Sequence, residues 1–140
     1  MELKIKLEND AKLPVKKTDG AACYDCYAHL SKKVFIWPFQ TKVIPLGIRT
    51  EFENGYYLEV RGRSGNSSKG IQTFIGTVDA DYRGIIGAIT HNANIFPKII
   101  KPGDRIAQIM MKKIVSTEIK IVDELSETKR GDGGFGSTGK

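Results

Sequence analysis

Asp79 and Asp81 stand two residues apart within Gly76-Thr77-Val78-Asp79-Ala80-Asp81-Tyr82-Arg83-Gly84. On an extended segment, residues two apart face the same side. Two such carboxylates can hold a divalent metal, one can serve as a base toward water, or both can be surface turn acids. Arg63-Ser64-Gly65 offers a guanidinium, a hydroxyl and a free backbone, a set that can surround a phosphate. Gly103-Asp104-Arg105-Ile106-Ala107-Gln108 reads as a Gly-Asp turn opening a strand, with Ile106 in the core and Gln108 on the same face. Cys23-Tyr24-Asp25-Cys26 is a C-x-x-C, and His29 and His91 bring the potential zinc ligands to four. An odd offset on a strand sends the two sulfurs to opposite faces, so small structural thiols are favoured over a metal site. Both histidines read as loop or edge residues.

The final segment, Arg130-Gly131-Asp132-Gly133-Gly134-Phe135-Gly136-Ser137-Thr138-Gly139-Lys140, holds five glycines and one large apolar residue. It is either a frayed tail or an arm that orders on a ligand or neighbouring subunit. Its glycine-flanked N–H groups suit phosphate oxygens, and Phe135 could stack on a base. The P-loop spacing Gly-x-x-x-x-Gly-Lys-Ser/Thr is absent.

Elements that could position these groups are nearly all β. Leu3, Ile5 and Leu7 alternate with charged residues. Short apolar runs follow at Val34–Trp37 and Lys42–Ile44, each stopped by a proline. Others follow turn signals, at Tyr56–Val60, Ile85–Ile89 and Ile106–Met110. The β-branched stretch Ile114–Val122 reads as a further strand. No segment keeps a 3.6-residue apolar period, and Gly76 argues against a helix in Ile71–Tyr82. This pattern predicts an all-β sandwich or barrel. At 140 residues the chain is expected to be one domain. No apolar run reaches the roughly 20 residues a membrane span needs, and the start lacks a secretion signal. A cytoplasmic protein is expected, in the host's cytoplasm or nucleus should the source be a virus or phage. The 22 Lys plus Arg exceed 16 Asp plus Glu by a net +6, which suits phosphate-bearing partners without saying which.

Taken in order, these segments resemble the five motifs of the trimeric deoxyuridine triphosphatase (dUTPase) family. Ala22–Ala28 resembles the first, Arg63-Ser64-Gly65 with Lys69-Gly70-Ile71 the second, and Gly76–Gly84 the third. Gly103–Gln108 resembles the fourth and Arg130–Gly139 the fifth. The resemblance implies a distorted jelly-roll-like β-barrel over residues 1–129. A flexible Gly-rich arm, 130–140, would close over a neighbouring subunit's active site. It implies Mg2+-dependent hydrolysis of dUTP to dUMP and pyrophosphate, limiting uracil in DNA and supplying dUMP for dTMP synthesis. Asp79 would activate the water that attacks the α-phosphorus. Arg63, Ser64, Gly65 and Gln108 would bind phosphates, and Asp25 would touch the magnesium water shell. Tyr82 would pack beneath the deoxyribose, while the backbone of Gly76, Thr77, Val78 and Gly87 would read the uracil edge. Arg130, Phe135, Gly136, Ser137 and Thr138 would cover the nucleotide. The implied assembly is a homotrimer with shared sites, and neither nucleic acid nor membrane is an expected partner.

Several positions depart from the family pattern. Cys23 stands where Gly is usual, Cys26 where Leu is common, Gly62 where Pro often precedes the arginine, and Thr73 near a uracil-reading Asn. The related dCTP deaminases carry a catalytic Glu in the strand after the third motif, whereas Ile85–Thr90 holds no carboxylate. A non-catalytic basic barrel that binds nucleic acid is the rival of another class. It would show a steep salt slope and no turnover.

Overall fold

The alternating N-terminal residues form strand β1 (Lys4–Leu7), which pairs antiparallel with β5 (Ile48–Glu51) in the register Ile5↔Thr50. The structure, a computed structural model, describes residues 1–134. The other strands are β2 (Tyr24–Tyr27), β3 (Val34–Ile36), β4 (Thr41–Pro45), β6 (Tyr56–Arg61), β7 (Ile71–Thr73), β8 (Gly76–Val78), β9 (Gly87–Asn92), β10 (Lys98–Ile100) and β11 (Arg105–Lys113). They form two ribbons, β1-β5 and β10-β3, a four-stranded sheet β2-β11-β6-β8, and a three-stranded sheet β4-β9-β7. All pairings are antiparallel. The sheets curl into a jelly-roll-like barrel, the fold class read from the sequence.

Each sheet contributes inward side chains to one core. Ile36 and Ile100 come from the β3-β10 ribbon, Ile44 and Ala88 from the three-stranded sheet, and Leu58, Val60 and Ile109 from the four-stranded one. Removing this apolar surface from water is the main drive for closure, at roughly 25 cal/mol per Å². The single helix among the described residues is one turn, α1 (Ser64–Ser67), where the sequence reads as a loop. As expected, Ile71–Tyr82 is not helical: β7 and β8 lie there.

Three expectations are corrected. Ile114–Val122 forms no strand. The β11–β6 ladder ends at Lys113↔Tyr56, so beyond Lys113 the chain has no partner strand and its apolar side chains face solvent (Ile119 is 92% and Ile121 98% exposed). Gln108 does not share Ile106's face. A bulge between Arg105 and Ala107 resets the alternation, so Ile106 and Ala107 are both buried and Gln108 turns outward. His91 is no edge residue: it lies on β9, the central strand of its sheet, with Nδ1 3.0 Å from the Thr41 hydroxyl.

Candidate active site

The turn after β8 is built from its own backbone outward. Tyr82 N–H donates to Asp79 O at 3.2 Å, closing the turn. Arg83 Nη1 donates to the carbonyls of Ala80 (2.6 Å) and Tyr82 (3.1 Å), and Arg49 Nη1 to that of Arg83 (2.9 Å). Arg83 thus supports its turn rather than facing a ligand. The Tyr82 ring lies against Gly84, where any Cβ would run into it, and its hydroxyl donates to Ile85 O at 3.2 Å. The result is a cleft of about 210 Å³ lined by Gly76, Thr77, Val78, Asp79, Tyr82 and Gly87, with Val60, Ile86 and Ile89. Asp79 is exposed at this cleft. Six residues singled out from the sequence therefore meet in one place.

A second group meets across the other strands of the four-stranded sheet. Asp25 on β2 lies opposite Gln108 on β11, which lies opposite Arg61 on β6. Asp25 is only 8% exposed and accepts from Arg63 Nε at 2.8 Å and Nη2 at 3.5 Å, and from Arg105 Nη1 at 3.2 Å. Two guanidinium groups thus share one buried carboxylate, and the charge of the cluster stays positive. Gln108 Nε2 donates to Gly62 O at 2.9 Å, fixing the chain just before Arg63. Asn66 Nδ2 donates to Arg105 O at 3.0 Å and ties α1 to β11. Ser64 and Gly65 begin α1 and are exposed. Arg105 and Asn66 are the members that residue types alone did not place here. Asp25, a lone acid on an otherwise uncharged strand, was the available hint of a cationic partner.

The two groups do not meet on one chain. In the β6–β8 register Leu58 faces Val78, so Asp79 falls level with Tyr57, six residues before Arg63. At about 3.3 Å per residue that puts Asp79 and Arg63 roughly 20 Å apart. Arg130 is exposed and donates from Nε to Gly133 O at 2.7 Å within its own turn. Phe135, Gly136, Ser137 and Thr138 lie outside the described residues.

The described residues hold no group of three His, Cys, Asp or Glu that could chelate a metal. Asp25 already serves two arginines. This donor set fits a magnesium ion carried on phosphates and keeping its waters, and not an all-protein cage. Cys26 is buried and Cys23 half-buried, and both are free thiols. Burial pushes the Cys26 thiol up to about 12.

The family model for dUTPase matches residues 9–139. The chain belongs to the dUTPase family.

It is 44% identical, over 98% of its length and 97% of the relative's, to the deoxyuridine 5'-triphosphate nucleotidohydrolase of Caldanaerobacter subterraneus subsp. tengcongensis. It is 42% identical to that of Chlamydia trachomatis serovar L2, over 100% of the chain and 99% of the relative. Among solved structures, a Staphylococcus bacteriophage 80alpha dUTPase mutant with dUpNHpp superposes with a TM-score of 0.84 at 27% identity, covering 99% of both chains. A mutant dUTPase of S. aureus phage phi11, described with a structural Mg(II) ion, shares the fold at 24% identity and a TM-score of 0.83. It covers 91% of this chain and 100% of its own. In this chain Thr73 does not line the cleft. It is buried and donates from Oγ1 to Ile106 O at 3.2 Å, joining β7 to β11.

Proposed function

We propose that this dUTPase hydrolyses dUTP to dUMP and pyrophosphate at a site assembled from more than one copy of the chain. The observation that carries this reading is the cleft after β8, with Asp79 exposed at it and Tyr82 packed across Gly84. Asp79 takes the proton of a water whose oxygen attacks the α-phosphorus. The bond from that phosphorus to the α–β bridging oxygen breaks, and pyrophosphate leaves. A carboxylate does this if it reaches the water within hydrogen-bond distance. Tyr82 carries the deoxyribose, and the backbone at Gly76, Thr77, Val78 and Gly87 reads the uracil edge. Arg63, Ser64, Gly65 and Gln108 of another copy hold the phosphates, where charge develops. Asp25 would hold a magnesium ion through its water shell, and the ion would supply positive charge toward the leaving pyrophosphate.

A homotrimer accounts for the roughly 20 Å between Asp79 and Arg63 within one chain. It also gives the solvent-facing residues Ile114–Val122 a neighbour to cover them. In this reading residues 1–129 form the catalytic barrel, and 130–140 are the arm that covers the nucleotide through Arg130, Phe135, Gly136, Ser137 and Thr138. The product dUMP feeds dTMP synthesis in the cytoplasm, and removal of dUTP keeps uracil out of DNA.

The deciding experiment measures pyrophosphate release from dUTP, dTTP, dCTP and UTP, for the native chain and Asp79→Asn. Release from dUTP alone is expected, with turnover by Asp79→Asn down about 10²–10⁴-fold and nucleotide binding retained. Near-normal turnover by Asp79→Asn, or ammonia released from dCTP, sinks the proposal.

A further inference from the structure

The β3–β10 ribbon ends in two adjacent loops that expose large apolar side chains. Trp37 is 57%, Phe39 66%, Ile95 71% and Phe96 68% exposed. The register Lys98↔Ile36 brings both loops out at the same end of the ribbon. Behind them Phe35 stacks on Trp37 with centroids 6.2 Å apart. A soluble surface rarely gathers this much contiguous apolar area without a partner.

The loops are braced. Asn92 is fully buried, and its Nδ2 donates to Ile36 O at 2.9 Å and to Phe96 O at 2.8 Å, one bond to each loop. Gln40 Oε1 accepts from Trp37 N–H at 3.1 Å, while Gln40 N–H donates to Trp37 O at 3.0 Å. Phe39 is held at φ +58, a conformation that bulky residues seldom adopt. A buried polar clamp and a strained aromatic together keep the apolar tips pointing outward. The patch lies beyond the Asn92 end of β9, whereas the cleft takes Gly87 and Ile89 from the other half of that strand. Gly87 and Asn92 are the two ends of β9, about 17 Å apart.

Charge tells what the patch can meet. The two loops lie within Cys26–Thr50 and Tyr82–Gly103, and Lys69, bonded to Asn94, lies within Val60–Val78. None of these stretches contains an Asp or Glu. Lys33 Nζ lies 5.6 Å from the Phe35 ring centroid. Lys98 lies beside Ile36 on β10, and Asn94 Nδ2 bonds Lys69 O at 3.0 Å. A second copy of the patch is a poor partner, because lysines would face lysines. Protruding aromatic and aliphatic tips within an acid-free, lysine-bearing surface match an anionic bilayer, whose phosphates meet the lysines while the tips enter the headgroup–acyl boundary.

We propose that the paired tips Trp37–Phe39 and Ile95–Phe96 dock this dUTPase onto anionic lipid surfaces. No helix among the described residues is long and apolar enough to cross a membrane, but that bears on spanning and not on peripheral docking. Trp37 is the single tryptophan, so its emission reports on the patch directly. Full-length protein is mixed with phosphatidylcholine vesicles, with and without phosphatidylserine. A blue shift and co-sedimentation are expected only with phosphatidylserine, weakening as salt rises. Phe39→Ser/Phe96→Ser is expected to bind at least tenfold more weakly, with pyrophosphate release from dUTP and melting temperature retained. Lys33→Glu/Lys98→Glu keeps the apolar tips and is expected to lose binding too, which covers the case in which the first variant misfolds. No shift with phosphatidylserine, equal binding to neutral vesicles, or a shift produced by single-stranded oligothymidylate in place of vesicles would each overturn the proposal.

Discussion

Asp25→Asn removes one charge while keeping the side chain's shape, and the structure gives the cost. The carboxylate is nine-tenths buried and receives Arg63 at 2.8 Å and Arg105 at 3.2 Å. A charge-assisted hydrogen bond contributes about 1.5–3 kcal/mol. The Arg105 side chain is nearly half exposed, so its pair adds at most about 1 kcal/mol. Relief from burying a carboxylate offsets part of this, leaving a net loss of about 2 kcal/mol in urea unfolding. The same change frees the Arg63 guanidinium from the group that orients it. If Arg63 holds a phosphate, kcat/KM for dUTP should fall at least about tenfold, because small misplacements of a positioning group cost one to two orders of magnitude. Magnesium discriminates between the two roles for Asp25. A defect in arginine placement persists at every magnesium concentration, whereas a defect in the ion's water shell shrinks as magnesium rises. Unchanged stability together with unchanged kcat/KM would refute the anchoring argument altogether.

Gly87→Ala places a Cβ 2.5 Å from Val43 Cγ1, and the stiff branched neighbour leaves little room to yield. A stability loss of about 1–3 kcal/mol and a raised KM for dUTP are expected, and a neutral variant would show that the cleft wall is soft. Cys26 should resist iodoacetamide at neutral pH while Cys23 reacts. Modification of Cys26 in the native protein, read by mass spectrometry, would contradict its burial. The Cys26 thiol rises from 9.0 to about 12 on folding, so its contribution is intact below pH 9. Above that the unfolded chain loses the proton first, and stability relative to Cys26→Ala should decline between about pH 9 and 12.

How much of this was legible in the sequence depends on how local the cause is. Strands with alternating or short apolar runs, such as β1 and β6, were readable because each carries its own pattern. The third motif was readable because Asp79, Tyr82 and Gly84 all lie within one turn. The bulge in β11 was not, since it arises from pairing with β2, and it turned Gln108 to the other face. The Asp25–Arg63–Arg105 cluster joins residues 38 and 80 positions apart. No spacing rule sees such a contact. Ile114–Val122 misled for the opposite reason: the residues suit a strand, but the strand needs a partner this chain does not offer.

The separation of Asp79 from Arg63 can be tested without any structure of the assembly. Asp79→Asn and Arg63→Ala chains should each be nearly inactive alone. If one copy supplies Asp79 and another supplies Arg63, a mixed assembly can pair the intact Asp79 of the Arg63→Ala chain with the intact Arg63 of the Asp79→Asn chain. With random mixing at equal amounts, each contributor is the right one half the time, so about a quarter of the sites regain both groups. Co-expressed or co-refolded variants should then recover about a quarter of native pyrophosphate release. A site lying within one chain allows no such rescue, because every chain in the mixture lacks one group. Activity that stays at the level of the separate variants, in a mixture shown by mass spectrometry to contain mixed assemblies, would place both groups on one chain. It would then require a conformational change large enough to close about 20 Å along the β6–β8 ladder. The ladder is tied by three registered pairs, Leu58↔Val78, Glu59↔Thr77 and Val60↔Gly76, and a slip by one residue would turn buried Val78 to solvent. Sharing between copies needs no such rearrangement, and that is the physical reason to expect the rescue.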